Sequence, residues 1–480
     1  MNDMAPPPAA GSARAPSPST QAILHRDGRP VPEGYELEAY RFLGDADIPF
    51  ARYFDQGFFD REMRDMWSRT WQWACREEHI AEPGDWIVYD IGDTSILVVR
   101  AGDGTIRAHI NSCMHRGTKI QESGTSGSAR ELRCRFHGWT WNLDGGLKRV
   151  PSQWDAPHVC AATHSLVPVR TGLWGGFVFI NLDAEAPPLE EYLAPLIAHC
   201  GKYRLENRFV ELHIEKELFC NWKAAAEAFL ENYHTQETHP QLLAANADEA
   251  TQYDILSPIV TRFLTANGVS SPHLASALDE EALVETSLVG ARSMVDPALL
   301  KVAPGETARV VLARVMRDLL GRAYGADFSG YADTEVIDIN HFYAFPGMML
   351  MPGLTLPAVY RIRPKGNDPD RSIFELLVLR ECPADGPRPE PAEVVRLGES
   401  QSYAEGGLDP FLAEIYDQDT GNLRAQQEGF KAARKLGQSL LNYQEIRIRQ
   451  LHETLDGYLA GDRIARPWTF PCGKSSSGAG

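Results

Sequence analysis

Four residues stand out for what they could bind. Cys113 and His115 are separated by one residue, Cys134 and His137 by two, and eighteen residues lie between the pairs. Each pair offers one soft thiolate and one imidazole, the ligand types of both zinc and iron–sulfur centres. Cys-x-His is tighter than the zinc-finger spacings of about two to four residues between cysteines and about three to five between histidines. Gly117 and Gly138 allow a sharp turn beside the ligands, and Phe136, Trp139 and Trp141 can screen a cluster from water. The set reads as a [2Fe–2S] cluster with two cysteines on one iron and two histidines on the other, which raises the reduction potential above that of all-cysteine clusters. A zinc site or unliganded core residues are the competing readings.

A second constellation lies downstream in NWKAAAEAFLENYHTQETHPQ, which carries Glu227, Glu231, His234 and His239. On a helix, the three-residue step from Glu231 to His234 brings carboxylate and imidazole within hydrogen-bonding reach on one face. His239 follows five residues later, about 140° further round after a full turn. Both histidines can therefore meet one metal only where the helix ends or distorts, and Thr235, Gln236, Thr238 and above all Pro240 predict such an end. Two histidines and one carboxylate on one face of Fe(II) leave positions open for O2. The segment IYDQDTGNLRAQQEGFKAARK offers Asp417 and Asp419 as that carboxylate, opening a helix that later carries Gln426, Gln427 and Gly429. Residue types leave the two aspartates equal. The competing readings are helix N-terminal charge for the aspartates and a polar helix end for the histidines.

These loops need elements to hold them. Residues 57 to 73 place Phe58, Met63, Met66, Trp67 and Trp71 close to one helical face, predicting a helix. From Trp86 to Asn111 the runs WIVYDI, SILVV and IRAHI alternate with turn signals, as in a small antiparallel domain. A strand over GFVFI precedes a proline-marked linker, with a boundary near 185. Beyond it, 218 to 233 and 408 to 460 read as helical, 242 to 330 as mostly helical with loops, and 336 to 381 as strands. The expected fold class is α+β, a small antiparallel β domain plus a larger helix-flanked antiparallel-sheet domain. The expected division is a disordered tail over 1–20, a segment over 21–59 packing on the catalytic domain, a cluster domain over 60–185, a mononuclear iron domain over 186–462 and a flexible tail over 463–480.

Composition narrows the function. A net charge of −18, from 65 acidic against 47 basic residues, argues against nucleic acid and anionic membrane as partners. No apolar run approaches the roughly 18 to 20 residues of a membrane span, and the start, MNDMAPPPAAGSARAPSPST, lacks the apolar core of a secretory signal. Eight cysteines spread thinly over 480 residues point to a reducing cytoplasm rather than a disulfide framework. Gly102 and Gly104 lack the rest of a dinucleotide fingerprint, so a nicotinamide-dependent reductase is expected on a separate chain. Phe342, Tyr343, Phe345, Met348, Met349 and Met351 could line an apolar pocket, although at least half are expected in ordinary core.

Taken together, the C-x-H…C-x-x-H-G-W loops, GFVFINLD, N-W-K…E-N-Y-H-x4-H and D-Q-D…Q-Q-x-G resemble the catalytic α subunits of Rieske non-haem iron ring-hydroxylating oxygenases, from about residue 60 to 460. The resemblance implies a Rieske [2Fe–2S] cluster on Cys113, His115, Cys134 and His137, and a mononuclear Fe(II) on His234, His239 and Asp419, choosing Asp419 over Asp417. It implies that Glu231 bridges His234 to His137 of a neighbouring copy, where most members carry Asp. The eighteen-residue spacer is slightly long for the family and Ala228 stands where Asn is common. The implied activity is that of a terminal oxygenase using O2 and electrons from a separate NAD(P)H-dependent reductase, with or without a ferredoxin, to hydroxylate or dihydroxylate an aromatic or other apolar ring substrate. The implied assembly is a homotrimer, with or without a small β subunit. Two alternatives are a demethylating or dealkylating monooxygenase of the same family and a non-catalytic Fe–S electron carrier.

Overall fold

The computed structural model describes residues 9–288, 294–383 and 386–462. Two antiparallel sheets organise them. The first has seven strands in the order Gln72–Arg76, Phe177–Asn181, Pro168–Trp174, Ile106–Ile110, Thr94–Arg100, Asp85–Ile91 and Ser126–Ser128. A small three-stranded sheet, Leu132–Arg133, Thr140–Trp141 and Leu147–Arg149, stands beside it. Between them lies a core of Trp86, Leu97, Val99, Ile120, Leu132, Trp139 and Trp141 that also takes in Cys113 and Cys134.

The second sheet has eight strands, in the order Gln252–Ile255, Val260–Thr265, Ile339–Ala344, Met348–Met351, Ala358–Pro364, Ser372–Glu381, Arg208–Leu218 and Val395–Leu397. Only the last pairing is parallel. Helices Trp222–Glu227, Ala308–Tyr324, Pro410–Gly421, Leu423–Ala432 and Ile446–Leu459 accompany it. The fold is the expected mixture of a small β domain and a larger helix-flanked antiparallel sheet. None of the described helices is long and apolar enough to cross a membrane.

Several elements depart from the sequence expectations. The helix read over 57 to 73 starts at Gln56, where Asp55 accepts the Phe58 N–H at 2.7 Å, and runs through wider π-helical turns only as far as Trp67. Gln72–Arg76 is instead a strand pairing with Phe177–Asn181, because both faces of that segment are buried. The helix packs on the larger domain: Lys223 Nζ lies 2.6 Å from Glu62 Oε1, and the rings of Trp67 and Trp222 meet edge-on at 5.2 Å. Within 242 to 330, Gln252–Ile255 and Val260–Thr265 form a hairpin rather than helix. The tail region expected over 1–20 lies partly outside the described residues, whereas Arg14 is held between the rings of Tyr40 and Tyr443 at 4.3 and 4.2 Å. The tail expected over 463–480 lies wholly outside them.

The domains meet through two arginines. Arg361 stacks over Trp73, 4.0 Å from the ring centroid, and donates to the Ala74 carbonyl and to Glu375. Arg76 reaches the other way, donating to the carbonyls of Leu205 and Arg208 at 3.2 and 2.7 Å. Buried arginines bonded to several carbonyls hold orientation as well as contact, since each N–H must find an acceptor.

Candidate metal centres

The two cluster loops are near copies of one another. In each, a buried cysteine sits four residues before a glycine in the left-handed region, Gly117 at φ 76° and Gly138 at φ 74°, a conformation that favours glycine. The Gly117 N–H donates to the Cys113 carbonyl at 2.9 Å, and the Gly138 N–H to that of Cys134 at 3.1 Å. The cysteines lie in the domain core, while His115 and His137 are exposed, their rings edge-on at 4.7 Å. Trp139 stacks flat on His115 at 4.9 Å and Phe136 covers His137 at 3.9 Å.

Burial raises the Cys113 thiol, the backbone N–H groups of His115 and Arg116 pull it down, and the neighbouring Cys134 thiol raises it further. Desolvation, with His137 and Arg116 nearby, holds His115 below its ordinary value. Two imidazoles outside and two thiols facing each other inside fit a cluster whose cysteine-bound iron is buried and whose histidine-bound iron faces outward.

The second centre is built by a broken helix. Asn221 caps Trp222–Glu227, accepting the Lys223 N–H at 3.1 Å. The chain then turns through 228–234 before the short helix Thr235–Thr238, and Pro240 follows His239. Glu231 is therefore not on a helix with His234, as the spacing suggests. Its Oε2 accepts the backbone N–H groups of Tyr233 and His234, and its Oε1 pairs with His234 Nδ1 at 2.7 Å. The carboxylate shapes the turn that delivers the imidazole. Asn232 pins this turn to the hairpin, donating to Thr251 at 3.1 Å and Thr265 at 3.3 Å.

Asp419 arrives from the last turns of Pro410–Gly421 and not from a helix start, so the dipole reading does not apply to it. Its Oδ1 lies 2.8 Å from His239 Nε2 and 3.3 Å from His234 Nε2, and the three ligand atoms all lie within 4.8 Å of one another. Asp417 faces elsewhere, bonded to Ser402 Oγ and to the Tyr403 N–H at 3.1 Å, with Lys216 at 3.7 Å. Glu227 also stays out of the centre. It joins Tyr53 at 2.7 Å, His452 at 2.9 Å and Gln438 at 3.1 Å in a buried network tying the N-terminal segment to the last helix.

The far nitrogens of both imidazoles are occupied. Glu231 holds His234 Nδ1, and Gln418 Oε1 accepts from His239 Nδ1 at 2.7 Å while also accepting from Gln241 Nε2 at 2.8 Å. Such outer partners fix ring orientation and leave Nε2 for a metal. Burial opposes charge on His234, yet Glu231 and Asp419 outweigh it and raise that imidazole to about 10. Burial would likewise raise Asp419, but hydrogen bonds from His234 and His239 hold it below the ordinary carboxylate value. A field that favours a proton here favours a metal cation between the same three groups, so the residues fit a divalent metal that would be held by two imidazoles and one carboxylate. Sequence reasoning missed Gln418 and Gln241. The signal was adjacency, since a residue beside a ligand on a helix end is placed to reach the neighbouring imidazole.

A cavity of about 640 Å³ opens onto this centre. His234, His239 and Asp419 stand in its wall, and most of the remainder is apolar, with Phe229, Phe263, Leu312, Met316, Ile415 and Tyr416 among its members. Of the six apolar pocket candidates of the sequence, Met351 lines the cavity, whereas Phe342, Tyr343, Phe345, Met348 and Met349 are packed in the core. Asp338 in the wall is neutralised by Arg309 at 2.6 Å. His341 is kept neutral by burial and by Arg447, which donates to its Nδ1 at 3.1 Å while Tyr360 pairs with Nε2 at 2.8 Å.

Residues 70–161 match the Rieske [2Fe–2S] domain family, and residues 205–461 the ring hydroxylating alpha subunit (catalytic domain) family. The chain is 33% identical over 202 residues to the glycine betaine monooxygenase oxygenase subunit of Chromohalobacter salexigens, covering 42% of this chain and 44% of that one. It is 32% identical over 202 residues to the large oxygenase component of the naphthalene 1,2-dioxygenase system of Pseudomonas putida, covering 39% and 43%. The aligned stretches thus span less than half of either relative. Among solved structures, a quaternary ammonium Rieske monooxygenase in complex with L-carnitine superposes with a TM-score of 0.58 at 18% identity, covering 88% of this chain and 99% of that one. Naphthalene 1,2-dioxygenase with indole in the active site superposes at 0.57 and 18%, covering 88% and 93%.

Proposed function

Because the chain belongs to the ring-hydroxylating alpha-subunit family, with a Rieske domain ahead of its catalytic domain, we propose that it is the terminal oxygenase of a multicomponent system acting on an apolar, ring-containing substrate. The observation that carries this is the convergence of His234 Nε2, His239 Nε2 and Asp419 Oδ1 within 4.8 Å at the wall of an apolar cavity. Cys113, Cys134, His115 and His137 would hold the cluster, and His234, His239 and Asp419 the iron. When bound, the cluster supplies single electrons and the iron activates O2.

The protein's part is position and exclusion. Glu231 and Gln418 orient the two imidazoles, the apolar wall keeps water from competing with substrate, and neutral His341 adds no charge. Glu231 also stands as the bridge from His234 to His137 of a second copy in a homotrimer, with electrons drawn from a separate reductase. A quaternary ammonium substrate is the second reading, favoured by the identity to the glycine betaine enzyme and by the aromatic side chains in the wall. Against it, among the described residues no Lys or Arg lines the cavity to receive a zwitterion's carboxylate.

The test is iron content and turnover. The purified protein should hold a third iron beyond the two of its cluster, and with a surrogate reductase, NADH and O2 should convert naphthalene to an oxygenated product. Asp419→Ala should lose that third iron and all turnover while keeping the cluster spectrum. Turnover retained by Asp419→Ala would overturn the assignment, and a wild type holding only the two cluster irons would identify an electron carrier.

A further inference from the structure

Most polar groups around the cavity are already engaged. Asn232, Asn246 and Asn267 bond one another or the backbone, Thr355 donates to the Val336 carbonyl, and Tyr360 pairs with His341. Tyr416 differs. It stands three residues before Asp419 on Pro410–Gly421, so the two side chains share a face of that helix. The residue is only 6% exposed, it lines the cavity, and its hydroxyl has no hydrogen-bond partner among the described residues.

Its ring is fixed among aromatics, with centroids 5.6 Å from Tyr403, 6.0 Å from Phe374 and 6.0 Å from Tyr360. The hydroxyl therefore has little freedom to seek another acceptor. Burial and, after it, nearby Asp419 disfavour its ionisation, so it stays a donor. That hydroxyl is not sealed within the protein, so a molecule in the cavity can accept from it. A mostly apolar cavity in which a rigid, buried phenol offers its hydroxyl close to the metal-binding side chains has the usual build of a site that orients an apolar ligand by a polar atom.

The geometry points to Tyr416 as the specificity-determining donor of this cavity, recognising an apolar ring compound that carries one oxygen acceptor, such as a ring ketone. This rests on the oxygenase reading above, which it deepens. Donation to that oxygen would fix which edge of the ring is turned toward His234, His239 and Asp419, and a ligand lacking the oxygen would leave the hydroxyl unmet.

The test compares two probes of one frame, 1-indanone and indane, by equilibrium dialysis against the cluster- and iron-loaded full chain and its Tyr416→Phe variant. The wild type should bind 1-indanone more tightly than indane, and Tyr416→Phe should weaken 1-indanone about tenfold while leaving indane unchanged. Parallel loss of both probes would make Tyr416 a wall residue only and overturn the proposal, as would an unchanged affinity for 1-indanone in the variant or no binding of it by the wild type. Product analysis with surrogate reductase keeps the two readings apart. A binding contrast without any oxygenated product sinks the oxygenase reading alone, whereas oxygenated product without the contrast sinks the role of Tyr416 alone.

Discussion

Replacing Gln418 by Leu tests whether the metal centre depends on a residue that touches no metal. The change keeps much of the side-chain volume but removes the oxygen that accepts from His239 Nδ1 at 2.7 Å and from Gln241 Nε2 at 2.8 Å. His239 is only 2% exposed, so water cannot replace the lost acceptor. A buried N–H left unmet costs about 1–3 kcal/mol. Freed from its partner, the ring can also rotate or change tautomer, and loss of such a partner typically lowers metal affinity about 10- to 100-fold, or about 1.4–2.8 kcal/mol. The two figures agree, so Gln418→Leu should weaken Fe(II) binding within that range. Gln418→Glu, which restores an acceptor and adds charge, should bind at least as tightly as wild type. The assay is Fe(II) titration of cluster-loaded protein against a competing chelator, with the cluster absorbance as internal control. An affinity for Gln418→Leu within about threefold of wild type, or parallel loss of the cluster, would refute the reasoning.

Two further predictions concern stability. Lys223 and Glu62 are fully buried and 2.6 Å apart, and burial pushes Lys223 down and Glu62 up despite their attraction. Glu62→Gln should therefore destabilise by about 3–5 kcal/mol, read as a fall in denaturant midpoint, while replacing both by apolar residues should recover much of that loss. Burial, with Glu231 and Glu227 nearby, raises Glu445 from 4.5 to about 7. A carboxyl raised in the folded state stabilises below its unfolded value and loses that stability as pH climbs to the folded one. Wild type should thus lose up to about 3 kcal/mol between about pH 4.5 and 7 relative to Glu445→Gln; parallel stability–pH curves for the two proteins would contradict this.

The ligands were easier to read than the scaffold. Cysteine and histidine at fixed short spacings carry their chemistry in residue type, so Cys113, His115, Cys134, His137, His234 and His239 stood out without knowledge of the elements. Residue types alone could not tell Asp417 from Asp419, and only the resemblance separated them, because two residues apart on a helix point to different sides and nothing local says which side faces the histidines. The scaffold was missed where tertiary burial overrides pattern. Gln252–Ile255 and Val260–Thr265 are buried almost throughout, which removes the alternation that marks a half-exposed strand. Arg208–Leu218 was legible in principle, since Val210, Leu212, Ile214 and Leu218 repeat with period two. The turn at Glu231 was not, because a carboxylate that folds back on two following N–H groups looks in sequence like one more helical residue.

The cavity wall divides into two inheritances. The metal-bearing side comes from the turn around Glu231 to His239 and from the end of Pro410–Gly421. Another part is furnished by Leu312 and Met316 of Ala308–Tyr324, a helix anchored at its start by Arg309 to Asp27 at 2.8 Å and to Asp338 at 2.6 Å. Leu312 and Met316 follow Arg309 at intervals of three and four residues, on the same side of the helix but beyond the clamp. A change of size at either position would recut the shape of the hole from a helix that carries none of the proposed metal ligands.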